Sequence, residues 1–240
     1  MTWVKICGIT NLEDALTAVD AGADALGFVF YEKSLRYVDP ETARLIIGKL
    51  PDGIAKVGVF VESYPENLVR LVSNACLTAT QLHLGFGQAF NNTAYGSGAP
   101  RFDRYLSLPA VMFTESEDAA RGLVSTCGKL DEALRSHLGR DGYDDLPPII
   151  FLDAGTPQQP GGTGTAFDWH GAAPIVKKMG QTIRIVLAGG LTPSNVAEAM
   201  NILQPWGVDV SSGVEASPGK KDPQKVRAFV TSVRQEDAKH

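Results

Sequence analysis

Hydrophobic and polar positions along the chain alternate between two periods. Short β-branched, apolar runs predict strands at "VKIC" (4–7), "ALGFVF" (25–30), "AKVGVFV" (55–61) and "ATQLH" (79–83). Each is followed by a segment of helical spacing. In "NLEDALTAVDAGA", Leu12, Ala15, Leu16 and Val19 fall on one face behind a polar start. "DPETARLIIGKL" offers Asp39 as N-cap and Pro40 at the first helical position, and "YPENLVRLVSNA" follows the third run.

The middle is less regular. Residues 85–107, rich in Gly, Asn, Ser and Pro without clear period, predict a long loop with room for one short helix. "LPAVMFT" (108–114) predicts the fifth strand. "ESEDAARGLVSTCGKLDEALRSHL" predicts one or two helices broken near Gly128, and "GRDGYDDLPP" a turn-rich connection. Regularity returns with "PIIFLDA" (148–154), the Gly/Pro-rich loop "GTPQQPGGTGTAFDW" and a helix through "APIVKKMGQ". "IRIVLAGG" (183–190) feeds "TPSNVAEAMNIL" from a Thr-Pro start. "GVDVSSG" (207–213) precedes "DPQKVRAFVTSVRQE", where Asp222-Pro223 repeats that signal.

Eight strand candidates alternating with helices imply a parallel sheet. Eight such units in 240 residues match an α/β (β/α)8 TIM barrel, with residues 1–240 as one domain. A doubly wound open sheet is the alternative. It would show fewer strands and a Gly-rich fingerprint after the first.

Composition narrows the functional classes. Net charge is −5 with no basic run, which leaves nucleic acid and membrane surfaces without an electrostatic partner. No apolar run approaches the roughly 18 residues that cross a bilayer. The N-terminus lacks the basic and apolar regions of a signal peptide. Cys7, Cys76 and Cys127 are odd in number and widely spaced, which fits a reducing, cytoplasmic compartment better than disulfides or a Cys-rich zinc site. The histidines show no paired spacing, so no metal site is expected.

Chemistry in such a barrel belongs at the C-terminal ends of the strands. Strand 1 ends in Cys7-Gly8, strand 4 in Gln81 and His83, and strand 6 in Asp153. Lys33, Ser34 and Arg36 follow strand 2. Gly189-Gly190 follows strand 7, and Asp209 leads into Ser211-Ser212-Gly213 at strand 8. Glycines and small hydroxyl residues after strands 7 and 8 suit a phosphate, although the same glycines would also make ordinary tight turns. No Walker loop occurs, and "GGTGTAFDW" lacks the context of a dinucleotide fingerprint. Asp153, beside a barrel core, needs a partner or a task, or it caps its loop. His83 reads equally as a ligand contact or as a satisfied core histidine. Cys7 packs as a small hydrophobe or is held out to react.

Taken in order, "VKICGIT", "LGFVFYEKSLRYV", "VGVFV", "QLH", "FLDA", "GGTGTAFDW", "LAGGLTPSNV" and "DVSSGVEASPGKKDPQKV" closely resemble the phosphoribosylanthranilate isomerase family of tryptophan biosynthesis. The likeness spans nearly the whole chain and is weak over 85–147. It implies a cofactor-free (β/α)8 enzyme that isomerises N-(5-phosphoribosyl)anthranilate, a small phosphosugar-anthranilate substrate, by an Amadori rearrangement. By the same resemblance, Asp153 is the general acid that opens the ring and Cys7 the base that removes the C2′ proton. Arg36 holds the anthranilate carboxylate. His83, Gly189, Gly190, Asp209, Ser212 and Gly213 complete the substrate site, and the enzyme is a monomer or homodimer. Lys5 is a candidate to assist thiol ionisation, unless it points away from the mouth.

Three departures bear on the loops. Leu84 intervenes where the family reads "QLHG", Thr165 stands where a basic residue is usual, and 85–107 and 128–147 are longer. Two other readings stay open. A ribonucleotide isomerase of histidine synthesis would be expected to carry paired aspartates, one in place of Cys7. A non-catalytic phosphosugar-binding barrel would be expected to lack the acid or the base.

Overall fold

The alternating runs close on themselves. The computed structural model describes residues 1–61, 71–83, 103–109 (backbone), 149–154, 166–181 and 184–239. Eight parallel strands form a closed barrel in chain order. They are β1 (Trp3–Cys7), β2 (Ala25–Val29), β3 (Ala55–Val61), β4 (Ala79–His83), β5 (Asp103–Pro109), β6 (Ile149–Asp153), β7 (Arg184–Leu187) and β8 (Gly207–Val210). The ring shuts where β8 pairs with β1, from Trp3 against Gly207 to Ile6 against Val210. That closure excludes the open sheet.

Each strand divides its residues by parity, as a pleated strand must. On β1, Val4 and Ile6 face the helices and join the larger core, with Leu26 and Phe28 of β2 and Ile150 and Leu152 of β6. Trp3, Lys5 and Cys7 face the barrel axis, stacked from bottom to mouth. A smaller inner core of Ala25, Val57, Ala79, Phe151 and Val186 fills the lower barrel. Trp3 seals its bottom, stacked on Trp206 at 5.3 Å and edge-on to Phe151 at 6.3 Å. The interior is therefore packed below and open only above.

Side-chain caps start four of the described helices. Asn11 accepts from Asp14 N before the helix Leu12–Asp20, and Asp39 accepts from Thr42 N before Pro40–Ile47. Asp168 accepts from Gly171 N before Trp169–Met179, and Asp222 accepts from Gln224 N and Lys225 N before Pro223–Asp237. Such caps contribute about 1 kcal/mol each.

The structure revises several sequence boundaries. The fifth strand runs over Asp103–Pro109, not 108–114, and so occupies the end of the segment read as loop. Pro109 supplies the reason, because proline cannot donate to a central ladder and marks a strand end rather than its second residue. The strands before the two glycine-bearing loops are shorter than read, ending at Leu187 and Val210. The helix expected from Thr192-Pro193 begins only at Val196, since Asn195 Oδ1 takes the Thr192 N–H in a turn of its own. The helix after the sixth strand starts at Trp169, earlier than "APIVKKMGQ" suggested. A small antiparallel pair, β9 (Glu215–Ser217) and β10 (Lys220–Lys221), was not anticipated. The helices read at 115–138 and the loop at 155–165 lie outside the described residues.

Candidate active site

The mouth of the barrel is a cleft lined by Cys7, Arg36, Gln81, His83, Asp153, Gly189, Gly190, Asp209, Ser211 and Ser212, with Val29 and Val59 as apolar wall. Eight of the nine predicted site residues thus meet in one place. The ninth, Gly213, sits in the 3-10 turn Ser212–Val214, where a Cβ would collide with the Leu191 carbonyl.

Cys7 ends β1 and is 8% exposed, at the floor of the cleft. Gly27, its register partner on β2, makes the room: a Cβ there would lie 2.7 Å from Cys7 Sγ and 3.0 Å from Lys5 Cε. Burial pushes the Cys7 thiol up, Lys5 pulls it back down, and Asp209 pushes it further up. Lys5 settles its own orientation. It points inward with no exposed surface, and its Nζ donates to both oxygens of Asp209 at 2.9 Å. Burial pulls the Lys5 ammonium down, but Asp209 and Cys7 together outweigh it and hold the group above its usual range. Asp209, the register partner of Lys5 across the seam, is raised by its own burial.

Arg36 reaches the cleft from the loop after β2. Its side chain crosses Gly8, whose φ of +78° and missing Cβ permit the passage, since a Cβ would lie 2.7 Å from Arg36 Cδ. Glu215 of β9 holds it by two parallel bonds, Nε to Oε1 and Nη2 to Oε2, each 2.9 Å. Lys221 supports the same carboxylate at 3.1 Å and donates to the Ser211 carbonyl at 3.2 Å. Burial alone would raise Glu215, yet Arg36 and Lys221 overcome it and lower the group. The other nitrogen, Nη1, makes no hydrogen bond among the described residues.

The far wall carries His83 and Asp153. His83 Nε2 stands 3.5 Å from Gln81 Nε2, and burial, helped by the charge of Lys5, lowers its pKa to about 4. The ring is therefore neutral at ordinary pH. Asp153 ends β6 beside Gly189, whose φ of +80° brings the two loops together. A Cβ on Gly189 would meet Ala154 N at 2.5 Å and Asp153 Oδ1 at 2.9 Å. On the other side, the buried Ser211 Oγ has no hydrogen-bond partner among the described residues and lies 3.0 Å from where a Cβ on Gly8 would stand. Among the described residues, no group of three or more His, Cys, Asp or Glu is placed to hold a metal.

The chain that carries this cleft matches a known set of proteins. A family model described as N-(5'phosphoribosyl)anthranilate (PRA) isomerase matches residues 4–97 and 141–232. The chain belongs to the phosphoribosylanthranilate isomerase family. The N-(5'-phosphoribosyl)anthranilate isomerase of Thermotoga petrophila is 40% identical over 234 residues, covering 98% of this chain and 99% of its own. The crystal structure of phosphoribosyl anthranilate isomerase from Thermotoga maritima superposes with a TM-score of 0.77 at 38% identity, over 98% of this chain and 100% of that one. Another structure of the enzyme, in complex with reduced 1-(o-carboxyphenylamino)-1-deoxyribulose 5-phosphate, gives 0.74 at 36% identity, over 98% and 100%.

The stretch that the phosphoribosylanthranilate isomerase family model leaves unmatched, 98–140, lies inside the segment where the resemblance is weak. Sequence reading missed Glu215 and Lys221 as supports of Arg36. The signal was present in the motif "SSGVEASPGKKD", but only the hairpin brings its charges back over the mouth. Ser211 was seen only as part of a motif.

Proposed function

We propose that the chain catalyses the Amadori rearrangement of N-(5-phosphoribosyl)anthranilate to 1-(2-carboxyphenylamino)-1-deoxyribulose 5-phosphate, a step of tryptophan biosynthesis, with Asp153 as general acid and Cys7 as general base. The observation that carries the reading is that Cys7 and Asp153, at the tips of β1 and β6, line one cleft together with Arg36 and the glycine loops.

The chemistry follows from that arrangement. Asp153 gives a proton to the furanose ring oxygen, the ring C–O bond breaks, and the nitrogen lone pair forms the imine. Cys7 as thiolate takes the C2′ proton, and the C–H pair becomes the enolamine double bond, which then tautomerises to the ketone. An acid and a base on separate strands keep their protonation states independent enough to serve both steps. Arg36 orients the anthranilate carboxylate through its Nη1 edge, and the loops carrying Gly189, Gly190 and Ser211 to Gly213 receive the phosphate. Neutral His83 and Asp209 line the sugar region. The steps require acid, base and anion binding, so no cofactor enters. The reading takes residues 1–240 as one domain acting in the cytoplasm on a small molecule, as a monomer or homodimer. Among the described residues no helix is long and apolar enough to cross a membrane.

Mixing purified protein with freshly made phosphoribosylanthranilate tests the proposal, because the anthranilate fluorescence falls as substrate is consumed. Steady loss is expected. Folded protein that leaves the fluorescence unchanged contradicts the reading.

A further inference from the structure

The fully buried lysine beneath the thiol has no place in the scheme above. A buried ion pair is no more stabilising than apolar residues of the same volume, so Lys5 and Asp209 are a costly way to fill a barrel floor. Gly27, Val57 and Phe151 around them are small or apolar. Lys5 Nζ lies 5.1 Å from the centre of the Phe151 ring below and 2.9 Å from both Asp209 oxygens beside it. Above it on the same inward face of β1 is Cys7. The Cys7 Sγ and the Lys5 Cε lie 2.7 Å and 3.0 Å from the one point where a Cβ on Gly27 would stand, close enough for the two groups to interact by charge.

We propose that Lys5 is a positioning residue for the reaction, a fixed cation pinned by Asp209 that serves as counter-charge to the Cys7 thiolate. The proposal rests on the reading of Cys7 as base. Asp209 keeps Lys5 protonated in a place where burial would otherwise strip the proton, and its bidentate grip aims the remaining N–H upward. When the thiol ionises, its proton passes to water at the open mouth. Removal of the substrate proton then re-forms the S–H bond, and the C–H pair moves into the new C1′–C2′ double bond as the imine pair moves onto nitrogen. Lys5 stays protonated and Asp209 stays a carboxylate throughout.

Other groups around Cys7 do not substitute for it. Lys221 of β10 reaches the thiol by charge alone and is committed to Glu215 and the Ser211 carbonyl. Arg36 is tied to Glu215, His83 of β4 is neutral, and Asp153 and Asp209 are acids. From β2 and β3 the thiol meets Val29 and Val59, which carry no charge.

The test is the Cys7 thiolate titration, read by ultraviolet absorbance as the difference between each protein and its own Cys7→Ala counterpart. Lys5→Met raises the midpoint by about one pH unit or more, a tenfold fall in the ionisation constant. The acid limb of kcat/KM moves up with it. Lys5→Met leaves the Asp209 carboxylate buried without its cation, so the substitution is repeated in an Asp209→Asn background, where no unpaired charge remains. The midpoint rises there too. An unmoved midpoint in the folded variants overturns the proposal, even if turnover falls. Ordinary turnover by Cys7→Ala would instead sink the reading of Cys7 as base, and the titration would still report whether Lys5 governs the thiol.

Discussion

Two charge networks flank the cleft, and they differ in what they leave free. At the floor, Lys5 and Asp209 are almost wholly enclosed, with side chains 0% and 8% exposed, and Cys7 stands above Lys5 on the same face of β1. At the rim, Glu215 is enclosed but Arg36 is 17% exposed and offers an edge to the cleft. In the proposed mechanism the enclosed pair acts on the protein's own reacting group and the half-open pair on the ligand. The floor should therefore govern rate, and the rim should govern binding.

The largest expected effects test the first half of that division. Cys7→Ala and Asp153→Asn each lower kcat by on the order of 100- to 10,000-fold with the fold intact by circular dichroism. A substrate KM that rose instead, at unchanged kcat, would move these residues to the binding side. Glu215→Ala strikes the rim. It releases Arg36 and leaves Lys221 buried without its carboxylate, at a cost of about 3–5 kcal/mol in denaturant unfolding. It also raises KM by about tenfold, equivalent to about 1.4 kcal/mol of binding, while kcat changes less. A fall in kcat alone would erase the contrast between floor and rim.

Gly27→Ala sharpens the picture of the floor. The added methyl meets Cys7 Sγ at 2.7 Å and Lys5 Cε at 3.0 Å, so overpacking of about 1–3 kcal/mol accompanies lost activity. A Gly27→Ala variant with normal kcat would show that the thiol and lysine need not sit where they do. At neutral pH the smallest effect on activity concerns the far wall, where the expected change is in stability at low pH. With His83 lowered to about 4 from 6.5, the unfolded chain binds more protons between those values. Stability at this group is thus complete above pH 6.5 and is lost as pH falls toward 4. Ring proton chemical shifts should titrate near the lower value, and His83→Gln should flatten that part of the stability curve.

What the sequence disclosed divides along the same lines. Strand periodicity and Asp-Pro or polar helix starts were enough to place seven of the eight strands within a few residues, because those signals are local. The fifth was displaced because an apolar run after Pro109 outweighed the alternating "RYLSL" before it. The residues at strand tips were legible as site candidates, since position in a barrel predicts exposure at the mouth. Their partners were not. Lys5 and Asp209 are 204 positions apart and meet only when β8 closes on β1, and Arg36 meets Glu215 across 179 positions. Cys7 itself was ambiguous because a thiol at a strand end packs as readily as it reacts. The ammonium beneath it could be assigned only once the parity of β1 put Lys5 and Cys7 on one face.

The division of labour comes down to one comparison at saturating phosphoribosylanthranilate, the initial rate of fluorescence loss for the unaltered protein against Cys7→Ala and Asp153→Ala. Rapid turnover by the first and near-abolished turnover by both variants, all folded, is the predicted result. Comparable rates for all three would contradict the assignment of acid and base.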